Sequence, residues 1–427
     1  MQITEMHVTP IAISDPPLLN AAGLHAPYAL RTIVELVSDD HIYGLGEMPG
    51  GAEMVDLLES IRDLVLGSDP FHLNALFAAI TGRLAQSAPA GQAPDALEKR
   101  VARAFSAVEV ACLDLMGKAT GRPVVDLLGG KIRERVPFSA YLFYKHPGAG
   151  GSLGFGSHPH ASGWAAARQA PALDPDGLVA QAQAMCSAFG FKSIKLKGGV
   201  FEPAVEVKTM HALRRAFGPE MPLRIDPNAV WRLETAIRWG KELEGVLEYY
   251  EDPVRGQEDM AALRKAVNIP LATNMCTTSF AELPGSIRLG SEDIILSDHH
   301  MWGGLRASVE LGRICRTFGR GLSMHSNSHL GISLAAMTHL AAATPNLTYA
   351  VDTHYPWQSE EVIAGGRLQI EDGSLPVPAG PGLGIELDRN ALAALHANYL
   401  ACGLTKRDDE VEMQKVEPGW TFTPTRW

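Results

Sequence analysis

The sequence predicts an α/β protein in which a closed parallel β/α barrel is joined to an α+β domain. Three observations carry that expectation. From residue 136 onward, eight short β-rich runs alternate with stretches of helical length, which is the cadence of a barrel. The runs end on polar residues at a nearly constant interval. Before residue 136, strands are followed by helices, the order of an α+β unit. A chain of 427 residues is comfortable for two domains and too long for one small one.

Each element has its own signal. The extended runs ITEMHVTPIAIS (3–14) and ALRTIVELVSDDHIYGLGE (29–47) flank the loop DPPLLNAAGLHAPY, rich in Pro, Gly and Asn. They read as an antiparallel meander with a mobile loop. From about 53 to 128 apolar residues recur at three- and four-residue spacing, as in EKRVARAFSAVEVACLDLMGKATG, and Gly121 with Pro123 ends the helix. The barrel runs are VPFSAYLF, FKSIKLKGG, PLRIDPN, LEYYEDP, PLATN, DIILSD, GLSMHSN and LTYAVDTH. Amphipathic stretches such as EPAVEVKTMHALRRAF and ETAIRWGKELEG separate most of them. The exception is 144–173, a Gly-, His-, Pro- and Ala-rich stretch read as a long loop after the first strand. From about 365 the texture returns to hairpin and helix, so the tail is expected to pack on the first domain. The division is therefore 1–135, 136–365 and 366–427.

Composition narrows the function. Hydrophobic residues make up 46% of the chain, enough for a sizeable core. A net charge of −11 argues against nucleic acid or an anionic membrane as partner. An acidic substrate remains admissible where cations gather locally. Cys112, Cys186, Cys276, Cys315 and Cys402 are scattered, odd in number and without a C-x-x-C pair. Neither a disulfide framework nor a zinc cluster is expected, and a reducing compartment is. The start MQITEMHVTP lacks the basic and apolar regions of a signal peptide. The most apolar stretch, ISLAAMTHLAAAT, is interrupted by His339 and too short to span a bilayer. A soluble, cytoplasmic protein is the expectation.

The strand-end residues are Lys195 and Lys197, then Asp226, Glu251, Asn274, Asp298, His325 and His354. Counting from Lys197, they lie 29, 25, 23, 24, 27 and 29 residues apart, about one βα unit each. The C-terminal strand ends of a barrel face one another across its mouth. One acidic residue after a strand is more often a helix N-cap than a ligand; seven useful groups in register reverse that judgement. Asp226, Glu251 and Asn274 offer hard oxygen donors that suit Mg²⁺ rather than zinc. Their two carboxylates balance its charge. Asn228, two residues after Asp226, is placed on the same strand face, where it can touch substrate or metal-bound water, and Glu258 is a fallback ligand for Glu251. Lys195 and Lys197 share a face by the period of two. Crowding is expected to lower both pKa values and free one amine as a base. Asp298 can hold His325 as a second base across the mouth. His299 and His300 have no such support and stay unassigned.

K-x-K, then Asp, Glu and Asn on successive strands, then an Asp–His dyad, resembles the mandelate racemase-like branch of the enolase superfamily. KLKGGV (195–200), IDPNAVW (225–231), EDP (251–253), ATNM (272–275), HSNSH (325–329), DTH..WQ (352–358), PGLG (381–384) and RDD…PGWTF (407–422) are similar to the glucarate dehydratases within it. The resemblance runs nearly end to end. It implies a modified, (β/α)7β-like TIM barrel, with a capping domain formed by the N-terminal region and the tail. It implies Mg²⁺ at Asp226, Glu251 and Asn274, with Lys197 and His325 as opposed bases. Lys195 polarises the substrate carboxylate and Asp298 orients His325. His25, Tyr141, Ser326, Asn327, His354 and Arg407 match substrate-binding positions. Three departures fall where the distal part of the substrate is read. GQAPDAL (91–97) lacks the family's threonine, the loop after Glu251 is short, and 144–173 differs throughout.

The resulting expectation is a hydro-lyase of acid-sugar catabolism. Its lead substrate is D-glucarate with L-idarate, and galactarate or a sugar monoacid is the alternative. The expected partners are an aldarate dianion and further copies of the chain in a homo-oligomer. A class I aldolase would resist EDTA and be trapped by borohydride. A non-catalytic binder would have lost a ligand or a base, and none is lost.

Overall fold

The computed structural model describes residues 1–89, 93–151 and 160–427. Residues 91–92 of GQAPDAL and 152–159 of the loop at 144–173 therefore lie outside the described residues. The opening runs form a three-stranded antiparallel sheet of β1 (Ile3–Ser14), β2 (Tyr28–Ser38) and β3 (Tyr43–Pro49). The run read as one strand over 29–47 is two. It breaks at Asp39–Asp40–His41, where His41 takes φ 59° and donates its N–H to Ser38 O at 2.9 Å. The intervening loop is folded down rather than free: a two-residue ladder pairs Leu19–Asn20 with Gly23–Leu24, and Leu19 N–H bonds Tyr144 O at 2.8 Å.

The sheet lies on the helix Pro94–Thr120, which Gly121 ends in the left-handed conformation at φ 67°. In Tyr-Gly-Leu-Gly of β3, the period of two puts Gly44 and Gly46 on the helix side. A Cβ at Gly44 would collide with the Ala111 carbonyl, and one at Gly46 with that of Ala107. The glycines let sheet and helix backbones touch.

All eight predicted barrel runs are strands: β4 (Arg135–Phe143), β5 (Ile194–Lys197), β6 (Leu223–Asp226), β7 (Tyr249–Glu251), β8 (Leu271–Thr273), β9 (Ile294–Ser297), β10 (Gly321–Met324) and β11 (Val351–Asp352). Each pairs in parallel with the next from β4 to β10, and β11 pairs β4. A parallel bridge between Leu322 and Leu347 nearly closes the ring. Helical segments follow the first seven strands, whereas β11 runs only into the short 3₁₀ turn Tyr355–Trp357. The fold is a modified (β/α)7β barrel with an α+β cap.

Helix Gly331–Ala343 contains the apolar stretch noted in the sequence, and every residue of it is buried. An all-round apolar helix needs cover on every side. This one lies between the barrel and the cap. Its His339 accepts Val125 N–H at 3.3 Å through Nδ1 and reaches Leu383 O at 3.2 Å through Nε2. The tail returns to the first sheet: His396 lies 2.7 Å from Pro10 O and Arg389 pairs with Glu35 at 2.5 Å. It then crosses to the barrel mouth, where Arg232 N–H bonds Trp427 O at 2.6 Å. Among the described residues, no helix is long and apolar enough to cross a membrane. All five cysteines are free.

Candidate active site

Strand β5 reads Ile-Lys-Leu-Lys, so its period of two sends both ammonium groups into the barrel mouth. Lys195 Nζ lies 2.6 Å from Glu251, 2.6 Å from Asp352 and 3.8 Å from Asp226. Lys197 Nζ lies 2.6 Å from Asp226. The expected lowering of both lysine pKa values is overturned. Burial does pull each down, but Asp352 and Glu251 lift Lys195 well above its ordinary value, and Asp226 lifts Lys197. Each amine faces a carboxylate at contact distance, which outweighs the repulsion between them. Asp352 was missed in the sequence. The signal for it was its position two residues before His354 in DTH, on the same strand run.

Asp226 and Glu251 are the last residues of β6 and β7, and Asn274 follows the last residue of β8. Both carboxylates are fully buried. Asn274 Nδ2 donates to Glu251 Oε1 at 2.9 Å, while its backbone N–H donates to Asp252 at 2.7 Å. Burial raises Asp226, but Lys197 and Lys195 hold it below the ordinary carboxylate value. Burial pushes Glu251 well above it, reinforced by Asp226 and Asp352. Buried oxygens converging in this way, with an amide oxygen beside them, fit a hard divalent cation. Glu258 stands exposed in the first turn of helix Gln257–Ala266, whereas Glu251 is buried. Asn228 is not on the strand face as expected, because β6 ends at Asp226. Instead Asn228 turns back at φ 54°, donating its backbone N–H to Asp226 Oδ1 at 2.9 Å and its side-chain amide at 3.1 Å.

Across the mouth, His325 Nδ1 lies 3.0 Å from Asp298 Oδ2, as the one-unit spacing predicted. Burial opposes ionisation of Asp298, yet His300 and His325 hold its carboxyl well below the usual range. His300, left unassigned from the sequence, lies 2.8 Å from the other oxygen through Nδ1. The helix-cap reading of Asp298 also holds, since Oδ1 accepts the His300 backbone N–H at 2.9 Å. Asp298, His299 and His300 bring possible ligand atoms within 4.8 Å of one another, but both oxygens of Asp298 already face ring nitrogens.

Ser326 Oγ lies 3.3 Å from His354 Nδ1. Asn327 Oδ1 accepts from Arg31 of β2 at 2.9 Å. Tyr141 packs its ring 4.7 Å from that of His354 and under Lys195, and its buried hydroxyl has no hydrogen-bond partner among the described residues. Burial pushes that hydroxyl up to about 12.

From the cap loop, His25 is buried, with Nδ1 2.8 Å from Asp15 and Nε2 2.8 Å from Arg407. Its ring lies 6.0 Å from that of Phe143, which lies 5.0 Å from His354. The Arg407 side chain is half exposed along its length, but its guanidinium is clamped by the buried Asp409 at 2.5 and 2.7 Å. Arg407 is therefore a paired cation rather than a spare one. Asp409 is itself held by Asn20 at 2.7 Å. A separate cavity of about 690 Å³ lies between cap helices and the outer barrel, lined by residues such as Phe77, Phe105, Trp302 and Arg306 and by none of the predicted site residues.

A β/α barrel with its polar groups gathered at the C-terminal strand ends, under a cap that contributes a histidine and an arginine, defines a barrel enzyme. Residues 177–391 match the enolase C-terminal domain-like family, and 10–129 match the mandelate racemase / muconate lactonizing enzyme N-terminal domain. A probable glucarate dehydratase of Streptomyces coelicolor A3(2) is 46% identical over all of this chain and 99% of its own. The chain belongs to the enolase superfamily and is related to the glucarate dehydratases. An enolase of Thermobispora bispora DSM 43833, solved with magnesium and formate, is 50% identical with a TM-score of 0.92 and full coverage of both chains. An enolase of Pseudomonas fluorescens Pf0-1, solved with magnesium, potassium and tartrate, is 49% identical with a TM-score of 0.92, covering 100% of this chain and 99% of that one.

Proposed function

We propose that the chain is a Mg²⁺-dependent acid-sugar dehydratase, with D-glucarate and its epimer L-idarate as lead substrates. The observation that carries this reading is the disposition of two candidate bases. Lys197 ends β5 and the Asp298–His325 pair follows β9 and β10, nearly across the ring, with Lys195 between carboxylates at the floor. The magnesium and the small acids held by solved relatives support it.

Asp226, Glu251 and Asn274 would hold Mg²⁺, which supplies Lewis-acid stabilisation to a substrate carboxylate and competes with the two ammonium groups for the same oxygens. Lys195 then donates to the carboxylate as it takes on enediolate charge. For one epimer neutral His325 removes the α-proton; for the other Lys197 does so from the opposite face, as a neutral amine, which requires that Asp226 be drawn from it to the metal. The electrons of the broken C–H bond form the enediolate. Collapse of the enediolate expels the β-hydroxyl, which takes a proton from His325 and leaves as water. The enol tautomerises to a 2-keto-3-deoxy acid, which from glucarate is 5-dehydro-4-deoxy-D-glucarate. His25, Asn228, Ser326, Asn327, His354 and Arg407 bind the chain of hydroxyls and its far end, and the lone Tyr141 hydroxyl offers a further donor.

The pairing of Arg407 with Asp409 favours a second reading, a dehydratase or epimerase of a different aldarate or of an aldonate whose far end is uncharged. A panel of aldarates and aldonates, assayed with Mg²⁺ for 2-keto-3-deoxy product, separates the two. Glucarate turning over fastest supports the first reading. Product from aldonates alone selects the second, and epimers without loss of water would remove the dehydratase assignment.

A further inference from the structure

Asp298 has two oxygens and faces three N–H groups from two residues, His300 and His325. Oδ1 accepts the backbone N–H of His300 at 2.9 Å and lies 2.8 Å from His300 Nδ1, while Oδ2 lies 3.0 Å from His325 Nδ1. The far side of the His300 ring is held as well. Its Nε2 lies 2.9 Å from Ser333 Oγ, in the first turn of the buried helix, and 3.5 Å from Arg31. Arg31 donates to Glu47 of β3 at 2.7 Å, and Glu47 accepts the backbone N–H groups of Leu330 and Ser333 at 2.9 Å each. Arg31, Glu47, His300 and Ser333 are all buried.

We propose that His300 is a positioning residue for the base: it clamps Oδ1 of Asp298, so that only Oδ2 is left to hold His325. This inference rests on the two-base reading of the site. A helix cap through one backbone N–H leaves the carboxylate able to pivot about its Cβ–Cγ bond. A ring bonded to the same oxygen from the side removes that freedom, and Ser333 and the Arg31–Glu47 pair keep the ring from turning. Since Nδ1 of His300 donates to the carboxylate, Nε2 accepts from the Ser333 hydroxyl. Oδ2 then demands a proton on Nδ1 of His325, and Nε2 of His325 is the atom turned toward substrate. Strands β2 and β3 of the cap thereby set the orientation of a base in the barrel, through contacts that never touch substrate.

A histidine that merely fills space makes a different prediction from one that orients a base. His300→Ala keeps the backbone cap and loses the ring. It should lower the His325-dependent exchange of the substrate α-proton in D₂O about ten- to a hundredfold, as small misplacements of a reacting group do. Exchange of the opposite epimer through Lys197 should stay near wild type. His300→Asn, whose amide N–H stands close to where Nδ1 stood, should recover most of the loss. Equal loss in both epimeric series would make His300 a core residue only, and no loss in either would show that Asp298 needs no clamp. A second measurement requires no substrate. In histidine-labelled protein, ¹⁵N NMR should find His325 protonated on Nδ1 in the wild type and as a tautomer mixture in His300→Ala; an unchanged tautomer overturns the proposal. Wild-type protein that exchanges no acid sugar would defeat the functional reading, while the tautomer measurement would still decide the role of His300.

Discussion

Lys195 sits fully buried between Glu251 and Asp352, and Lys197 against Asp226, so each candidate base or polarising group is defined by the carboxylate it touches. Lys197→Ala should abolish α-proton exchange for one epimer and spare the other. His325→Ala should do the reverse, read by deuterium incorporation into recovered substrate. Loss of all exchange in both variants, with metal binding intact, would contradict the two-base assignment. Arg407 calls for a milder expectation than an unpaired buried cation would, because Asp409 already shares its charge. Arg407→Ala should penalise glucarate relative to gluconate by about 1–2 kcal/mol, roughly five- to thirtyfold in the ratio of kcat/KM. An unchanged ratio would leave Arg407 no part in reading a second carboxylate. K-x-K and the Asp–His pair were legible because strand period and unit spacing alone place them. The contacts of Asp352 with Lys195 and of Arg31 with Asn327 were not, since they join residues 157 and 296 apart in sequence. Asp409, by contrast, stood close to Arg407 in RDD, and Asp352 close to His354 in DTH, and both were passed over.

At the level of elements, the eight barrel strands were legible because each is a short β-rich run bounded by turn residues. The break within 29–47 was not, since a tight turn of two aspartates and a histidine barely interrupts the alternation on either side. The close packing of β3 on helix Pro94–Thr120 depends on Gly44 and Gly46, which face the Ala111 and Ala107 carbonyls. Gly46→Ala should therefore destabilise the protein by about 1–3 kcal/mol through overpacking. Chemical denaturation measures it: the midpoint should fall, and a midpoint equal to wild type would mean the two backbones have room to part. The same change should also weaken catalysis, because the neighbouring Glu47 holds Arg31 and the start of the buried helix.

For the whole molecule, a net charge of −11 and an acidic substrate pose one electrostatic problem. The mouth does not solve it with spare cations. Lys195 and Lys197 are matched by Asp226, Glu251 and Asp352, and Arg407 by Asp409. A site so balanced needs a further positive charge to take a dianion, and the buried carboxylates of Asp226 and Glu251, with the Asn274 amide beside them, are where one would sit. Binding of that ion to the folded state alone should raise Tm, since a ligand at a hundred times its Kd adds about 2.7 kcal/mol. The most direct test is turnover of D-glucarate by protein stripped with EDTA and then given back Mg²⁺. The account predicts that 2-keto-3-deoxy product disappears on chelation and returns with the metal, together with the rise in Tm. Full turnover by the metal-free protein would contradict it.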